Sequence, residues 1–257
     1  MSALIVEKTS IDNQQTYENS VFPLVYAAQA CSHTGSTWEW VKDNRQSIEK
    51  ELSLNGAVLF RGFGVNDDHN FDDFIRAFGW DNFTYEESLS NAVRHNRTDL
   101  VFTANEAPPS VSIFLHHEMA QTPIYPSKLF FFCEQASESG GATPICRSDV
   151  LLEQLEQEIP NFVLSCREKG LRYSQTMPLE NDLASGQGRS WASTLSAATQ
   201  AEAEVKLKRL DYDWQWQSDG SLSVVTPVLP AIKTLPDGRK VFFNQLIAAF
   251  RGWQDAR

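Results

Sequence analysis

The segment Phe114–Ala120 reads F-L-H-H-E-M-A and carries the residues best suited to chemistry. On a strand, residues two positions apart point to the same face, so His116 and Glu118 can present an imidazole and a carboxylate to one metal ion. Two histidines and one carboxylate on one face, with other positions open, form the site of non-haem iron(II) oxygenases. H-x-E alone is a weak signal, and from these letters two polar residues on a half-exposed strand are the simpler interpretation.

Further motifs change that interpretation, because their order along the chain is specific. An apolar strand leads into the first motif, R-G-F at 61–63. The motifs that follow it are N-E-A-P-P at 105–109, H-H-E-M-A at 116–120, F-F-F-C at 130–133, G-G-A-T-P-I at 140–145 and F-F-N-Q at 242–245. This series resembles the taurine-dioxygenase family of iron(II)- and 2-oxoglutarate-dependent oxygenases, and more closely its clavaminate-synthase-like branch. The resemblance covers roughly residues 50 to 257.

The resemblance implies roles for three residues. His116 and Glu118 are expected to be catalytic iron(II) ligands. Thr143 of the G-G-x-T-P turn is expected to help hold the co-substrate 2-oxoglutarate, since its hydroxyl can donate to a carboxylate oxygen. Halogenating relatives lack the carboxylate ligand, so Glu118 favours hydroxylation or a related oxidation. The expected enzyme is a dioxygenase that oxidises a small amino-acid-like or related substrate and releases succinate and CO2.

The family completes its iron site with a second histidine far down the chain and with an arginine that anchors 2-oxoglutarate. No histidine follows His117 in this sequence, and no H-G-R segment is present. We therefore assign neither a third ligand nor an anchoring arginine. Ile247, Phe250 and Trp253 indicate a helix without a stop signal before Arg257. The expectation is a chain that is C-terminally incomplete and inactive as given.

Two other classes of protein stay open. A non-catalytic relative that has lost its metal site would act as a binding protein, but such drift should also erode His116, Glu118 and Thr143. A cupin-like zinc enzyme, for example an isomerase or hydrolase, would share H-x-E, but the G-G-x-T-P turn argues against it. Formation of succinate from 2-oxoglutarate separates the oxygenase from both alternatives.

Hydrophobic periodicity indicates short strands with helices outside them. Helices are predicted from Ser36 to the Asn55-Gly56 break, from Asn66 or Asp67 to Phe78, over Asp149–Glu158, from Pro160 to Gly170 and over Thr199–Arg209. Strands are predicted over 57–60, 100–103, 111–115, 128–134, 212–217, 222–228 and 241–243, with antiparallel pairing favoured. The expected fold is a β-rich α+β jelly roll, a double-stranded β-helix with flanking helices that lacks its C-terminal strands. We expect one oxygenase domain over 1–257, with 1–34 as a lightly structured lead-in that contains one or two short strands.

The composition is that of a globular chain with an acidic surface. The 257 residues include 33 acidic and 22 basic side chains, a net charge of -11. Such a surface repels nucleic acid and anionic lipid, so the expected partner is a small-molecule substrate, with no nucleic acid and no membrane. No secretory signal, CxxC pattern or membrane-length apolar run is visible, which favours a cytoplasmic location. The oligomeric state stays open.

Overall fold

The computed structural model describes residues 4–29, 34–83, 89, 90, 92, 94–104, 113–182 and 188–251. The contacts form two compact units. The first comprises Met1–Asn82, Asn96–Phe102 and Phe130–Gly141, and the second comprises Phe83–His95, Thr103–Leu129 and Ala142–Arg257. The expectation of one domain over 1–257 stays a prediction. Within the described residues, no helix combines the length and apolarity needed to cross a bilayer.

The strands of the first unit lie early in the chain. They are β1 (Val6–Thr9), β2 (Gln15–Tyr17), β3 (Ser20–Phe22), β4 (Leu24–Ala28) and β5 (Val58–Arg61). A sheet has the order β1-β4-β5, and β2 pairs with β3. β1 and β4 run antiparallel, whereas β4 and β5 run parallel. The predicted lead-in 1–34 therefore contains four strands, more than the one or two expected, and one of them lies at the centre of a sheet.

Helix α1 (Thr34–Asn55) supplies the crossover that a parallel pair of strands requires. It begins two residues before the predicted start at Ser36. Val41 and Ile48 are buried at a helical spacing, as the sequence predicts. The helix ends where predicted, because Gly56 follows with a φ of +81°, a left-handed conformation that favours glycine.

Helix α2 (Asp68–Ala77) carries much of the aromatic core of the first unit. The carboxylate of Asp67 accepts the Asn70 backbone N–H at 2.7 Å, which satisfies a donor that the first turn leaves unpaired. Its aromatic side chains join those of α1, β4 and β5. We call this group the aromatic cluster: Tyr26, Trp38, Trp40, Phe60, Phe63, Phe74, Phe78, Trp80 and Phe130.

The segment 128–134 is predicted as a buried strand, and this prediction is wrong. The segment is irregular. Phe130 and Phe132 pack on aromatic rings of α2 and its C-cap, with centroids 5.3 Å apart in each pair, whereas Phe131 is 69% exposed. The run is apolar at nearly every position, so its pattern does not show that only alternate side chains are partly buried. The strand predicted over 100–103 reduces to one isolated bridge, between Asn96 and Phe102.

The second unit contains the later strands. They are β6 (Ser174–Met177), β7 (Asp213–Trp216), β8 (Leu222–Val225), β9 (Ile232–Thr234) and β10 (Lys240–Phe242). An antiparallel sheet has the order β6-β8-β7, and β9 and β10 form an antiparallel pair. Across the described residues the strands form four separate small sheets rather than a closed barrel.

The second unit also contains helices. They are α3 (Ser148–Glu158), α4 (Pro160–Lys169), α5 (Trp191–Leu195), α6 (Gln200–Arg209) and α7 (Leu246–Arg251). Leu195 and Leu207 belong to one buried cluster with Leu222 of β8. A second buried cluster joins α3 and α4 to Phe242 of β10. The chain continues directly from β10 into the residues that contact the candidate site.

Candidate metal centre

The H-x-E segment reverses direction immediately after its histidines. Residues 113–117 have no regular secondary structure, and 118–121 form a turn. Ala120 donates its N–H to the His117 carbonyl at 3.2 Å, and Met119 has a φ of +58°. That left-handed conformation is uncommon for a residue other than glycine. The strand predicted over 111–115 is therefore not observed in its described part, 113–115.

The side chains of His116 and Glu118 lie together. His116 Nε2 is 3.8 Å from Glu118 Oε2. Bonds from nitrogen or oxygen ligands to an ion such as zinc measure about 2.0–2.2 Å, so two atoms at this separation can share one ion. His116 Nδ1 lies 2.7 Å from the Phe114 carbonyl oxygen, which can accept the proton on Nδ1 and leave the Nε2 lone pair available. Metal-binding histidines are commonly oriented in this way.

Arg94 supplies the positive charge of the site. Its Nη2 donates to Glu118 Oε1 at 3.1 Å. Burial by itself raises the pKa of Glu118, but His116 and Arg94 outweigh burial, and the net pKa lies below its ordinary value. The Glu118 carboxylate in turn raises the pKa of His116. Glu118 is therefore ionised at neutral pH, which is the form in which a carboxylate binds a metal.

His117 belongs to an aromatic stack. It is not part of the candidate ligand pair, which consists of His116 and Glu118. The His117 ring lies on Phe243 with centroids 4.8 Å apart, and Phe243 contacts Tyr125 at the same separation. Lys233 Nζ lies 3.9 Å from the centroid of the Tyr125 ring, a cation–π distance. Burial lowers the pKa of His117 to about 4, so its ring is neutral at pH 7. The stack fixes one side of the H-x-E segment.

The backbone of His117 is held by residues that follow β10. Its N–H donates to the Asn244 carbonyl at 3.3 Å, and its carbonyl accepts from Gln245 Nε2 at 2.9 Å. Gln245 is 3% exposed, and its own N–H donates to the Tyr173 hydroxyl at 3.1 Å. Hydrogen bonds between buried groups keep their geometry because breaking them leaves a polar atom unsatisfied. The position of the ligand pair therefore depends on a segment 128 residues away.

Thr143 lies on an exposed irregular segment before α3. The preceding Gly140 and Gly141 have φ values of +65° and +68°, and a Cβ on Gly141 would lie 2.4 Å from Ser137 Oγ. The turn therefore requires glycine, in agreement with the sequence. Among the described hydrogen bonds and ion pairs, none joins Thr143 to the ligand pair.

Within the described ranges, no cluster of three or more histidine, cysteine, aspartate or glutamate side chains is arranged for a metal. The N-E-A-P-P motif at 105–109 lies outside these ranges. Sequence reasoning missed Arg94, because no motif or periodicity links it to Glu118 across 24 positions. The motif series did include Asn244 and Gln245, but it did not reveal that they hold His117.

Comparisons with known proteins show the family of this chain. Residues 20–247 match the model of the family described as "Taurine catabolism dioxygenase TauD, TfdA family". The chain is 38% identical over 264 residues to a clavaminate synthase-like protein of Arabidopsis thaliana, an alignment that covers 100% of this chain and 79% of that protein. It is 31% identical over 236 residues to the dapdiamide synthesis protein DdaC of Enterobacter agglomerans, with 90% and 68% covered. The chain therefore belongs to the TauD/TfdA family of dioxygenases.

Proposed function

We propose that this protein is an iron(II)- and 2-oxoglutarate-dependent dioxygenase that hydroxylates, or otherwise oxidises, a small amino-acid-like substrate. The observation that carries the proposal is the His116–Glu118 pair. Its two facing atoms are 3.8 Å apart, and the far ring nitrogen of His116 lies against a backbone carbonyl. An imidazole and a carboxylate are two of the three ligands of the non-haem iron(II) facial triad.

The residues present fit a divalent cation. His116 Nε2 and Glu118 Oε2 would hold it, and the ionised state of Glu118 supplies the negative charge that offsets part of the ion's charge. Iron supplies oxygen activation when bound, while 2-oxoglutarate supplies two electrons and leaves as succinate and CO2. The protein's own contribution is orientation. The His117 backbone, held by Asn244 and Gln245, fixes the segment on which both ligands stand.

Thr143 is proposed to donate its hydroxyl to a carboxylate oxygen of 2-oxoglutarate. Two observations support this role. Thr143 follows two left-handed glycines that set the direction of the chain, and its hydroxyl makes no hydrogen bond among the described residues. A threonine hydroxyl is a suitable donor to a carboxylate.

Family membership also supports a jelly-roll core for the complete fold. We propose that the antiparallel sheet β6-β8-β7 and the pair β9-β10 belong to that core, within one oxygenase domain. Antiparallel sheets with one face packed against helices are typical of such architectures. An experimental structure that placed these strands outside a double-stranded β-helix would contradict this part of the proposal.

The function is tested by measuring succinate. The protein expressed from the complete natural gene is purified and incubated with iron(II), 2-oxoglutarate, oxygen and a panel of amino acids, and succinate is compared with oxidised product. We expect both in equal amounts with the true substrate, and neither above background for His116→Ala. His69→Ala is the matched control, because His69 is an exposed histidine on α2. Failure of the parent protein to bind iron(II) or to form succinate would refute the proposal.

A further inference from the structure

The two oxygens of the Glu118 carboxylate have different partners. Oε2 faces His116 Nε2 at 3.8 Å, whereas Oε1 accepts from Arg94 Nη2 at 3.1 Å. The side chains are 25% exposed for His116, 24% for Glu118 and 15% for Arg94, so solvent competes only partly for these contacts. The carboxylate is thereby oriented with one oxygen toward the imidazole and the other toward the guanidinium.

We propose that Arg94 is a positioning residue. By binding Oε1, it restricts Glu118 to coordinating the metal through Oε2 alone. This inference rests on the proposed function, since it assumes a metal between His116 and Glu118. The terminal torsion of a glutamate is broad and roughly two-fold, so an unrestrained carboxylate would offer either oxygen or both. A guanidinium donor bound to Oε1 removes that freedom, because its planar group fixes the direction of its N–H bonds.

The proposed contribution of Arg94 to metal binding is the orientation of the Glu118 carboxylate. A guanidinium close to a divalent cation repels it, so charge alone would make Arg94 unfavourable for metal binding. The favourable part is the fixed orientation of the ligand, and partners of this kind typically change metal affinity about 10- to 100-fold when removed. These two contributions have opposite signs, so the direction of the change in metal affinity shows which one is larger.

The test is cobalt(II) titration of the metal-free full-length protein, followed by its visible absorption. Arg94→Met keeps most of the apolar stem and removes the donors. We expect about 10- to 100-fold weaker binding and a changed ligand-field spectrum, because a released carboxylate alters the coordination. Arg94→Lys retains one compact donor without the planar fork, and we expect partial recovery of affinity. Arg167→Met is the matched control, because Arg167 pairs with Glu156 between α3 and α4.

The outcomes separate this inference from the proposed function. If the parent protein binds no cobalt(II), the proposed function and the role of Arg94 are both refuted. If the parent binds and Arg94→Met binds within twofold with an unchanged spectrum, only the role of Arg94 is overturned. Tighter binding by Arg94→Met would show that the repulsion dominates, which also overturns it. Thermal unfolding of the metal-free variants identifies a folding defect, and in that case Arg94→Lys with a native unfolding curve decides between these outcomes.

Discussion

The aromatic cluster of the first unit and the candidate metal centre of the second unit are built by different means. The cluster joins rings carried by two helices, two strands and irregular segments of the same unit, and its members meet because their apolar faces are buried together. The metal centre stands on an irregular segment whose shape depends on one left-handed residue and on hydrogen bonds to Asn244 and Gln245. Regular periodicity specifies the cluster, whereas long-range polar contacts specify the centre.

This difference separates stability from chemistry. Losing a ring from the cluster removes contacts from several neighbours and leaves a cavity, so its effect falls on the free energy of unfolding. Losing a group from the centre removes few apolar contacts, so its effect falls on metal binding and turnover. Substitutions in the two regions should therefore be distinguishable by which of the two measurements they change.

The largest expected effect is the loss of turnover in Glu118→Ala. Without the carboxylate, His116 is the only remaining member of the ligand pair. We expect kcat/KM to fall at least about 1000-fold, equivalent to about 4 kcal/mol of transition-state stabilisation. Product formation with 2-oxoglutarate and iron(II) is the measurement. Hydroxylation at a rate near that of the parent would show that Glu118 is not a ligand.

Phe78→Ala should break the aromatic cluster. Phe78 is fully buried and contacts Phe74, Trp80 and Phe130 at centroid distances of 5.4, 4.7 and 5.3 Å. We expect the free energy of unfolding to fall by about 3–5 kcal/mol in urea denaturation. Phe131→Ala is the control, since that ring is mostly exposed and should change stability by less than about 0.5 kcal/mol. Equal effects of the two variants would contradict the assigned core.

Gln245→Leu should affect the centre more than stability. The variant removes the donor to the His117 carbonyl, but it also removes a buried Gln245 Oε1 that has no hydrogen-bond partner among the described residues. We expect stability to change by less than about 1 kcal/mol, because these terms offset one another. Turnover should fall about tenfold as the ligand segment loosens. Gln217→Leu, which removes a partly exposed glutamine, is the control and should leave turnover unchanged.

Thr143→Val tests the proposed co-substrate contact. Valine keeps the shape of the side chain and removes the hydroxyl. We expect the KM for 2-oxoglutarate to rise about five- to tenfold, equivalent to the net value of about one ordinary hydrogen bond, with kcat little changed. Thr143→Ser retains the hydroxyl and should behave like the parent. An unchanged KM in the valine variant would remove Thr143 from the site.

The smallest effect concerns Asp149, at the start of α3. Burial by itself raises the pKa of its carboxyl, but hydrogen bonds from Arg147, the Val150 N–H and Arg239 outweigh it and lower the pKa to about 2. A depressed pKa contributes stability above the unfolded value of about 3.9, and that contribution is lost as pH falls through about 2. After allowing for solvent screening, we expect Asp149→Asn to cost about 1 kcal/mol at pH 6.

Urea denaturation of the parent and Asp149→Asn at several pH values measures this contribution. The difference between the two proteins should shrink as pH approaches about 2, because the carboxyl is then protonated in the unfolded parent and about half protonated in the folded parent. A difference that stayed constant from pH 6 to pH 2 would show that Asp149 stabilises α3 through its shape and not through its charge.

Helices were the most predictable part of the fold. Asp67, Gly56 and Pro160 mark helix ends through local chemistry, and all three boundaries agree with the structure within one residue. Strands were less predictable, because a strand depends on a partner elsewhere in the chain. The run at 128–134 has the residues of a buried strand, but it has no ladder partner in the described part of the chain. The pairing of β4 with β5 likewise depends on a crossover of the chain.

The sequence by itself identified the family and named His116 and Glu118 as the candidate ligand pair, because H-x-E and the ordered motifs around it are local patterns that require particular residue types. It did not determine how that pair is held. The approach of His116 to Glu118 depends on the turn at Met119. The second contact of Glu118 depends on Arg94, which lies 24 positions earlier in the chain. Only the tertiary structure decides these contacts, since a hydrogen bond between distant residues leaves no periodic trace in either segment.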